Sequence, residues 1–273
     1  MPKTKIVELC KIVDFSKQAF YKQVNKSEKD QKFENEIIKI VKTIRERQPK
    51  VGTRKILRSL NQKDIYIGRD KLFKLLKENN LLVTRKKRYI RTTDSKHLFK
   101  KYPNLIKEQV PTRPNQIYVS DITYIATTEG FIYLFLITDM YSRRIVGSSI
   151  SESLSSEGAV LAIQRALNDI ANKKEIIHHS DRGVQYCCHD YINYLKSYDF
   201  TISMTEDNHV YENALAERVN GILKIEFIGF DPLNSKKIAS KLIEESIDIY
   251  NNERLHMSLD YKTPNQVHYS INN

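Results

Sequence analysis

Three acidic residues occupy positions from which their side chains could act together on one reacting group. Asp121 lies inside the β-rich run YVSDITY, Asp181 follows the apolar run and paired histidines of EIIHHS, and Glu217 lies in the helical pattern NALAERVNGILK. Carboxylates that converge repel one another, so such a site needs divalent cations, and oxygen ligands favour Mg²⁺ or Mn²⁺ over zinc. Two such ions, about 4 Å apart, can activate an attacking hydroxyl and stabilise a leaving oxygen on phosphorus. The three residues are therefore predicted to be catalytic metal ligands for phosphoryl transfer.

The stretch HHSDRG around Asp181 has two interpretations. A carboxylate at the end of a strand, beside a glycine that lets the chain turn away, is a common position for a metal ligand, but an aspartate there can equally cap the following helix. On this segment alone the two interpretations are balanced. His178 and His179 suggest zinc at first sight, yet adjacent strand residues point to opposite faces. At least one of the two histidines is therefore expected to be packed or exposed.

The elements that must position these carboxylates follow from the pattern after Gln116. β-rich segments at 117–127, 130–141 and 143–151 come in close succession and predict an antiparallel meander. They are followed by a helix at 155–173, a strand ending at Asp181, a helix at 186–198, a strand at 200–205, a helix at 212–226 and a last helix at 234–256. This order predicts an α/β three-layer domain with a mixed sheet. Strands one and four can then be neighbours at the sheet centre, with the helix of Glu217 packed across them.

The charge of the chain is unevenly distributed. Residues 1–110 hold 30 Lys and Arg against 12 Asp and Glu, a net charge of +18, whereas residues 111–273 hold 15 against 21, a net charge of −6; together they give +12. A basic half of this size indicates a polyanionic partner, with nucleic acid first and an acidic membrane surface second. The alternative is a highly soluble, lysine-rich surface.

Helical patterns in the basic half are typical of a helix-turn-helix. Two of them flank residues 61–68, and the second has an apolar inner face: Leu72, Phe73, Leu75 and Leu76. Three basic residues near its start point elsewhere and are candidates for DNA binding: Arg69, Lys71 and Lys74. This layout suits a second helix that enters a major groove. A small helical bundle with solvated lysines is the alternative.

The segments on either side of this pattern are also basic. Residues 4–25 predict two short helices, the second capped by Ser16, and a separate helix is predicted at 27–48 with Ser27 as its cap. Residues 84–97 show no period, and their basic cluster is predicted to lie along DNA phosphates: Arg85, Lys86, Lys87 and Arg88.

The predicted domains are an N-terminal helical or helix-turn-helix segment (1–48), a second helix-turn-helix that binds DNA (49–83), a basic linker (84–110), the catalytic core (111–231) and its C-terminal helical extension (232–273).

Composition excludes several classes of protein. Apolar content of 40% and charged content of 29% are typical of a globular chain rather than a disordered one. No apolar run approaches the roughly 18 residues of a membrane span, and the N-terminus lacks a signal-peptide pattern, so a cytoplasmic protein is expected. The three cysteines, Cys10, Cys187 and Cys188, cannot form a disulfide framework and show no C-x-x-C spacing, so they are interpreted as reduced thiols.

The spacing of the acids supplies independent support for the site. Thirty-five residues, 182–216, separate Asp181 from Glu217, which is the D,D(35)E spacing of retroviral-integrase-like transposases. Five blocks resemble, in order, those of the downstream-frame protein of the insertion sequence three family: NQIYVSDITYI, ITDMYSRRIVG, HHSDRGVQY, NALAERVNGILK and YNNERLHMSL with a following TP. The segment GTRKILRSL…KLFKLLKENNLL resembles the helix-turn-helix of that family, which extends the resemblance over most of the chain.

Two positions depart from the family pattern. Tyr118 stands where the family often has tryptophan, and a tyrosine can still pack there. Arg218, Val219 and Asn220 follow Glu217, where the family often has two phenylalanines. The second change alters the surface of the helix but leaves the carboxylate itself in place.

The resemblance implies a DNA transposase with an RNase H-like integrase catalytic core and two Mg²⁺ or Mn²⁺ ions. Such an enzyme hydrolyses one strand at an element end, and the exposed 3′-hydroxyl then attacks another DNA phosphodiester by in-line transfer. Asp121, Asp181 and Glu217 would hold both ions, and the helix-turn-helix segments and the basic linker would hold the terminal inverted repeats. Family members work as oligomers that pair two DNA ends, and an upstream reading frame usually supplies a further segment, as a separate protein or as a frameshift fusion. The expected location is the bacterial cytoplasm, in association with the nucleoid when DNA is bound.

Further residues of the matching blocks are candidates for DNA contact. Lys224 lies seven residues after Glu217, so both share one helix face with Gly221, which leaves room for a DNA backbone. The family often carries a basic residue at the matching place, so Lys224 is predicted to meet a phosphate near the scissile bond, with an ordinary solvated lysine as the alternative. Three residues of the last block have two interpretations, a role in catalysis and packing at the end of a helix: Tyr250, Arg254 and His256.

Two other functions compete with a transposase. One is an RNase H-like nuclease that cuts DNA but never joins strands, and the other is a catalytically inert, transposase-derived DNA-binding regulator. The intact acidic triad argues against the regulator, since an inert site has no need of three mutually repelling carboxylates.

Overall fold

The chain divides into two units, Met1–Val83 and Thr84–Asn273. The computed structural model describes Cys10, Ile12 and residues 15–84, 98–168, 170, 175–206 and 213–270. Four predicted DNA-binding residues of the basic linker lie outside those ranges: Arg85, Lys86, Lys87 and Arg88. Within the ranges, no helix is both long enough and apolar enough to cross a membrane.

The first unit contains one long helix, α1 (Lys17–Arg47). Ser16 caps it as predicted, since its side chain accepts a hydrogen bond from Ala19 N at 3.0 Å. The prediction of a separate helix beginning at Ser27 is wrong, because α1 runs through that residue. No glycine or proline interrupts α1, and a serine inside a helix costs only roughly 0.5 kcal/mol relative to alanine. The helix ends just before Pro49, which lacks the N–H needed to continue it.

Two short helices, α2 (Thr53–Asn61) and α3 (Arg69–Glu78), form on the predicted sides of the turn. Together with α1 they enclose an apolar core: Ile37, Ile38, Val41, Val51, Ile56, Leu60, Leu72, Leu75 and Leu76. Phe73, which was expected on this inner face, is 39% exposed. The reason is geometric, because each residue turns an α-helix by about 100° and Phe73 therefore points away from the stripe formed by Leu72 and Leu76.

The second unit contains a five-stranded mixed sheet in the order β3-β2-β1-β4-β5. Its strands are β1 (Ile117–Thr127), β2 (Gly130–Asp139), β3 (Ile145–Ser151), β4 (Ile177–Ser180) and β5 (Thr201–Met204). β1, β2 and β3 form the predicted antiparallel meander. β1 and β4 are parallel neighbours whose pairing ends at Val119 and His179. The predicted adjacency of strands one and four is therefore confirmed.

Helices cover both faces of the sheet. They are α4 (Ser156–Asn168), α5 (Val184–Cys187), α6 (His189–Ser197), α7 (Ala214–Ile222), α8 (Lys236–Asn252) and α9 (Pro264–Tyr269). α4 and α6 share a core with Phe135 and Ile137 of β2, whereas α7 and α8 share a core with Leu134 and Leu136. Alternate residues of β2 thus point into opposite layers, and the predicted three-layer arrangement is confirmed.

Several element boundaries differ from the prediction. β4 ends at Ser180, so Asp181 is the first residue beyond the strand. The predicted helix at 186–198 is divided into α5 and α6 by Cys188, whose backbone is extended. α7 changes after Ile222 into a π-helical segment (Leu223–Ile228), the helix type defined by hydrogen bonds to the oxygen five residues back, as from Gly229 N to Lys224 O at 2.8 Å.

Candidate active site

Asp121 lies on the central strand, two residues beyond the last pair of β1 with β4. Both carboxylate oxygens accept hydrogen bonds, Oδ1 from Ile122 N at 2.9 Å and Oδ2 from Asn220 Nδ2 at 2.7 Å. Burial first, then the negative charges of Asp181 and Glu217, raise the pKa of Asp121 to about 7, while the two hydrogen bonds act in the lowering direction. Ionisation of the Asp121 carboxyl therefore costs considerable free energy when no cation is bound beside it.

Asp181 lies in the turn between β4 and α5. Its Oδ1 accepts a hydrogen bond from Gly183 N at 3.0 Å. A Cβ at Gly183 would stand 3.0 Å from the same oxygen, which is closer than side chains normally approach, so the glycine admits the carboxylate. The N-cap of α5 is Gly183, not Asp181, and it makes no side-chain cap bond. The geometry therefore gives no support to helix capping as the only role of Asp181.

Glu217 lies in the first turn of α7 on an exposed part of the surface. Partial burial of its carboxyl raises its pKa, and the charge of Asp181 raises it further. The charge of Asp181 thus raises the pKa of both other carboxyl groups, and the charge of Glu217 raises the pKa of Asp121. Three acids that are far apart in the sequence therefore lie within electrostatic range of one another beside the β1–β4 pair.

The chemistry of this donor set fits a divalent cation. Carboxylate oxygens are the ligands that Mg²⁺ and Mn²⁺ prefer, and the mutual repulsion seen at Asp121 is what such an ion relieves. Within the described ranges, no three His, Cys, Asp or Glu side chains stand close enough together to hold an ion as they are. Glu217 is the exposed member of the three, whereas Asp121 and Asp181 are partly buried.

His178 and His179 are both buried and serve packing rather than zinc binding. His178 Nε2 lies 2.6 Å from Ser120 Oγ and 2.8 Å from Tyr191 Oη. Burial lowers the pKa of His178 to about 3, so its ring is neutral. His179 Nδ1 lies 2.8 Å from Ser203 Oγ. The expectation that at least one of the two histidines is packed is confirmed.

Lys224 lies in the π-helical segment and is half-buried. Burial lowers the pKa of Lys224, and the negative charge of Asp121 acts in the raising direction. The lysine is therefore within electrostatic range of the carboxylates, unlike an ordinary solvated lysine. A Cβ at Gly221 would meet no atom within 4 Å, so the surface between Glu217 and Lys224 is open. Contact of Lys224 with DNA stays a prediction.

The three basic residues predicted to bind DNA from α3 are exposed. Each has an acidic neighbour within its own unit: Arg69 Nε lies 2.9 Å from Asp70, Lys71 Nζ 3.1 Å from Glu34, and Lys74 Nζ 3.9 Å from Glu78. Exposed ion pairs of this kind contribute only about 0–1 kcal/mol, so a phosphate can displace the acid. Their role in DNA binding stays a prediction.

Two asparagines belong to the site but were not predicted. Asn213 Nδ2 donates to Ser120 O at 3.0 Å, and Asn220 Nδ2 donates to Asp121. Asn213 is the N-cap residue of α7 and Asn220 lies within α7, at spacings of four and three residues from Glu217. That spacing was the available signal, because residues three and four positions from Glu217 lie near it on the same side of a helix. Tyr118, the other departure from the family pattern, is buried and donates to Asn115 Oδ1 at 2.7 Å.

The three residues of the last block pack at the end of α8. Arg254 is 4% exposed and holds Glu226 of the π-helical segment with two hydrogen bonds, Nε–Oε2 at 2.9 Å and Nη2–Oε1 at 2.7 Å. Arg254 Nη1 also lies 3.0 Å from His256 Nε2. Tyr250 Oη donates to Arg143 O at 3.0 Å. These contacts favour packing over catalysis for all three.

Comparisons with known proteins agree with this geometry. Two family models, each described as an integrase core domain, match residues 111–209 and 198–264. An insertion element IS600 protein of 31 kDa from Shigella sonnei is 35% identical over 261 residues, which cover 94% of this chain and 96% of that protein. The transposase InsF of insertion sequence IS3A from Escherichia coli K12 is 35% identical over 154 residues, or 56% of this chain and 54% of that protein.

A solved structure of the HTLV-2 integrase catalytic core in complex with magnesium has a TM-score of 0.44 and 19% identity, covering 57% of this chain and 98% of that one. The integrase-core matches and the mixed sheet between two helical layers confirm the predicted RNase H-like fold class. The near full-length similarity to the IS600 protein and the similarity to InsF extend the assignment beyond the fold. The chain therefore belongs to the insertion sequence three family of DNA transposases.

Proposed function

We propose that this chain cleaves DNA at the ends of an insertion sequence and joins the exposed 3′-hydroxyl to target DNA, with Asp121, Asp181 and Glu217 as its catalytic metal ligands. The observation that carries the proposal is the mutual electrostatic effect of three carboxylates from β1, from the end of β4 and from α7. Such a cluster is costly without a cation, and its oxygen donors suit two Mg²⁺ or Mn²⁺ ions.

The residues around the carboxylates hold them for this chemistry. Bound divalent ions would supply activation of the attacking hydroxyl and stabilisation of the leaving oxygen. Ile122 N–H and Asn220 orient Asp121, and Gly183 admits Asp181 to its turn. Lys224 supplies a positive charge beside the site, where it can hold a DNA phosphate near the scissile bond.

DNA binding is assigned to the basic half of the chain, where residues 1–110 have a net charge of +18. Arg69, Lys71 and Lys74 would contact the terminal inverted repeats from α3, and the basic cluster at 85–88 would follow the phosphates. Two element ends must be paired for joining, so the active form is a homo-oligomer on DNA, with an upstream-frame protein or a frameshift fusion as a further partner. The protein acts in the bacterial cytoplasm, in association with the nucleoid when DNA is bound.

A strand-joining assay tests the function directly. The purified chain, alone and with the upstream-frame protein, is incubated with labelled end-sequence oligonucleotides, target DNA and Mn²⁺. Cleaved ends and longer joined products are expected. Cleavage without joined products would indicate the nuclease instead, and DNA binding without either product would indicate the inert regulator.

A further inference from the structure

Asn220 is a buried amide with only one of its two polar ends in use. It lies one turn after Glu217 on α7 and is 5% exposed. Its Nδ2 donates to Asp121 Oδ2 at 2.7 Å, and its Oδ1 has no hydrogen-bond partner within the described part of the chain. The assignment of the two amide atoms follows from the contact, because a carboxylate oxygen can only accept from the nitrogen.

This arrangement is unfavourable as simple packing. Burying an amide oxygen without a partner costs free energy, whereas a leucine has the same branching and no polar atom to bury. The neighbours of Asn220 on α7, Val219 and Ile222, are buried and apolar. As packing alone, asparagine is therefore less favourable than leucine at this position. This indicates that the Nδ2 donor of Asn220 has a separate role.

We infer that Asn220 is a positioning residue that orients the Asp121 carboxylate for divalent-cation binding. The inference rests on the proposed function. With Oδ1 held by Ile122 N and Oδ2 held by Asn220, the carboxylate cannot rotate about its last bond. Each oxygen keeps a second lone pair, so two acceptor directions remain for a cation, and both are fixed. Hydrogen bonds to ligating carboxylates from outside the ligand set commonly control metal affinity in this way.

The same hydrogen bond also joins two of the three predicted ligands. Asn220 belongs to the helix that carries Glu217, and Asp121 belongs to β1. Asn213, at the start of that helix, donates instead to the backbone oxygen of Ser120. Asn213 therefore holds the helix to the strand, whereas Asn220 holds it to the carboxylate itself. Of the two asparagines, only Asn220 bonds to an oxygen of the Asp121 carboxylate in the described part of the chain.

The test is Mn²⁺ binding by isothermal titration calorimetry on the full chain at about pH 8, well above the ordinary pKa of a carboxyl group. Asn220→Leu removes the donor and the unpartnered oxygen while it keeps the branching of the side chain. Asn251→Leu is the matched control. Asn251 is also buried, but its side chain bonds, among the described residues, to the backbone of Ile145 in β3, at 2.9 and 3.0 Å, and to no carboxylate.

The dissociation constant for Mn²⁺ should rise about 10- to 100-fold in Asn220→Leu and stay within about twofold of wild type in Asn251→Leu. Thermal unfolding of the metal-free proteins should show a folded Asn220→Leu variant, with the larger loss of stability in Asn251→Leu. Asn220→Ala, which removes the same donor without added volume, should repeat the weaker Mn²⁺ binding.

Three results would overturn the inference. Wild-type Mn²⁺ affinity in Asn220→Leu or Asn220→Ala would show that Asp121 needs no positioning by this amide, and the proposed function would stand. Loss of folding in both variants would assign Asn220 to folding. Absence of Mn²⁺ binding by the wild-type chain would refute the metal site itself, and with it the proposed function.

Discussion

Asp121→Asn should stabilise the metal-free protein above neutral pH while it removes a proposed catalytic ligand. The folded-state pKa of about 7 lies above the ordinary value of 3.8. Between these two values the folded chain keeps a proton that the unfolded chain has released, so the contribution of Asp121 to stability falls as the pH rises through this window. Asparagine has the same shape and cannot ionise. Its oxygen can still accept the hydrogen bond from Asn220, while its amide nitrogen faces Ile122 N and that second hydrogen bond is lost.

The size of the effect follows from the same two values. The difference between 3.8 and about 7 corresponds to roughly 4 kcal/mol, at about 1.4 kcal/mol for each pH unit. Relaxation of the structure around the carboxyl group and entry of water reduce this cost of ionisation. The expected gain in the free energy of unfolding is therefore about 1–4 kcal/mol at about pH 8. At about pH 4 the carboxyl is neutral in the folded protein, and the two proteins should have nearly equal stability.

Urea unfolding of both proteins in the presence of a chelator, from about pH 4 to about pH 9, measures this difference. His178 acts in the opposite direction, because its folded-state pKa of about 3 lies below the ordinary 6.5 and its contribution to stability rises between those values. His178 is present in both proteins, so its contribution cancels in the difference. A difference that does not change with pH, or a less stable variant at about pH 8, would refute the reasoning. Added Mg²⁺ should raise the stability of the wild-type protein more than that of the variant.

Three other predictions concern catalysis and DNA binding. Asp181→Asn and Glu217→Gln should each abolish cleavage and strand transfer in gel assays but keep DNA binding, and near-normal turnover with Mg²⁺ would remove that residue from the site. A fragment of residues 1–110 should bind DNA with steep salt dependence and residues 111–273 only weakly, because affinity follows the number of phosphates neutralised; equal, salt-insensitive binding by both would contradict this. Lys224→Ala should slow both chemical steps about tenfold under limiting DNA, since a hydrogen bond to a charged group contributes about 1.5–3 kcal/mol. Lys224→Arg should recover much of the rate, and a wild-type rate for Lys224→Ala would make the residue an ordinary solvated lysine.

The parts of the fold that the sequence predicted are those with strong local signals. The meander of β1 to β3 consists of apolar runs between short turns, and Ser16 stands directly before a helical pattern. Ser27 was misinterpreted because serine is common at caps yet is tolerated inside a helix. The contact of Asn220 with Asp121 could not be predicted in the same way, because it joins residues 99 positions apart and depends on how α7 lies across the sheet.

The π-helical segment also escaped prediction, because the run LKIEFI carries no signal for it. Its far side is held by Arg254 through Glu226, a contact between residues 28 positions apart. A local sequence pattern cannot reveal such a long-range contact, although the contact holds the segment that carries Lys224. The acidic triad, in contrast, could be proposed from the sequence, because its spacing is a simple count and its flanking blocks are continuous stretches of chain.

The wider turn of the π-helical segment affects how related chains should be aligned. Each hydrogen-bonded turn of Leu223–Ile228 closes over five residues instead of four, so the segment holds about one residue more than an α-helix needs for the same rotation. A relative that lacks one residue here can close the segment into a regular α-helix and keep the flanking helices in place. The alignment gap then belongs inside this helix and not in a loop.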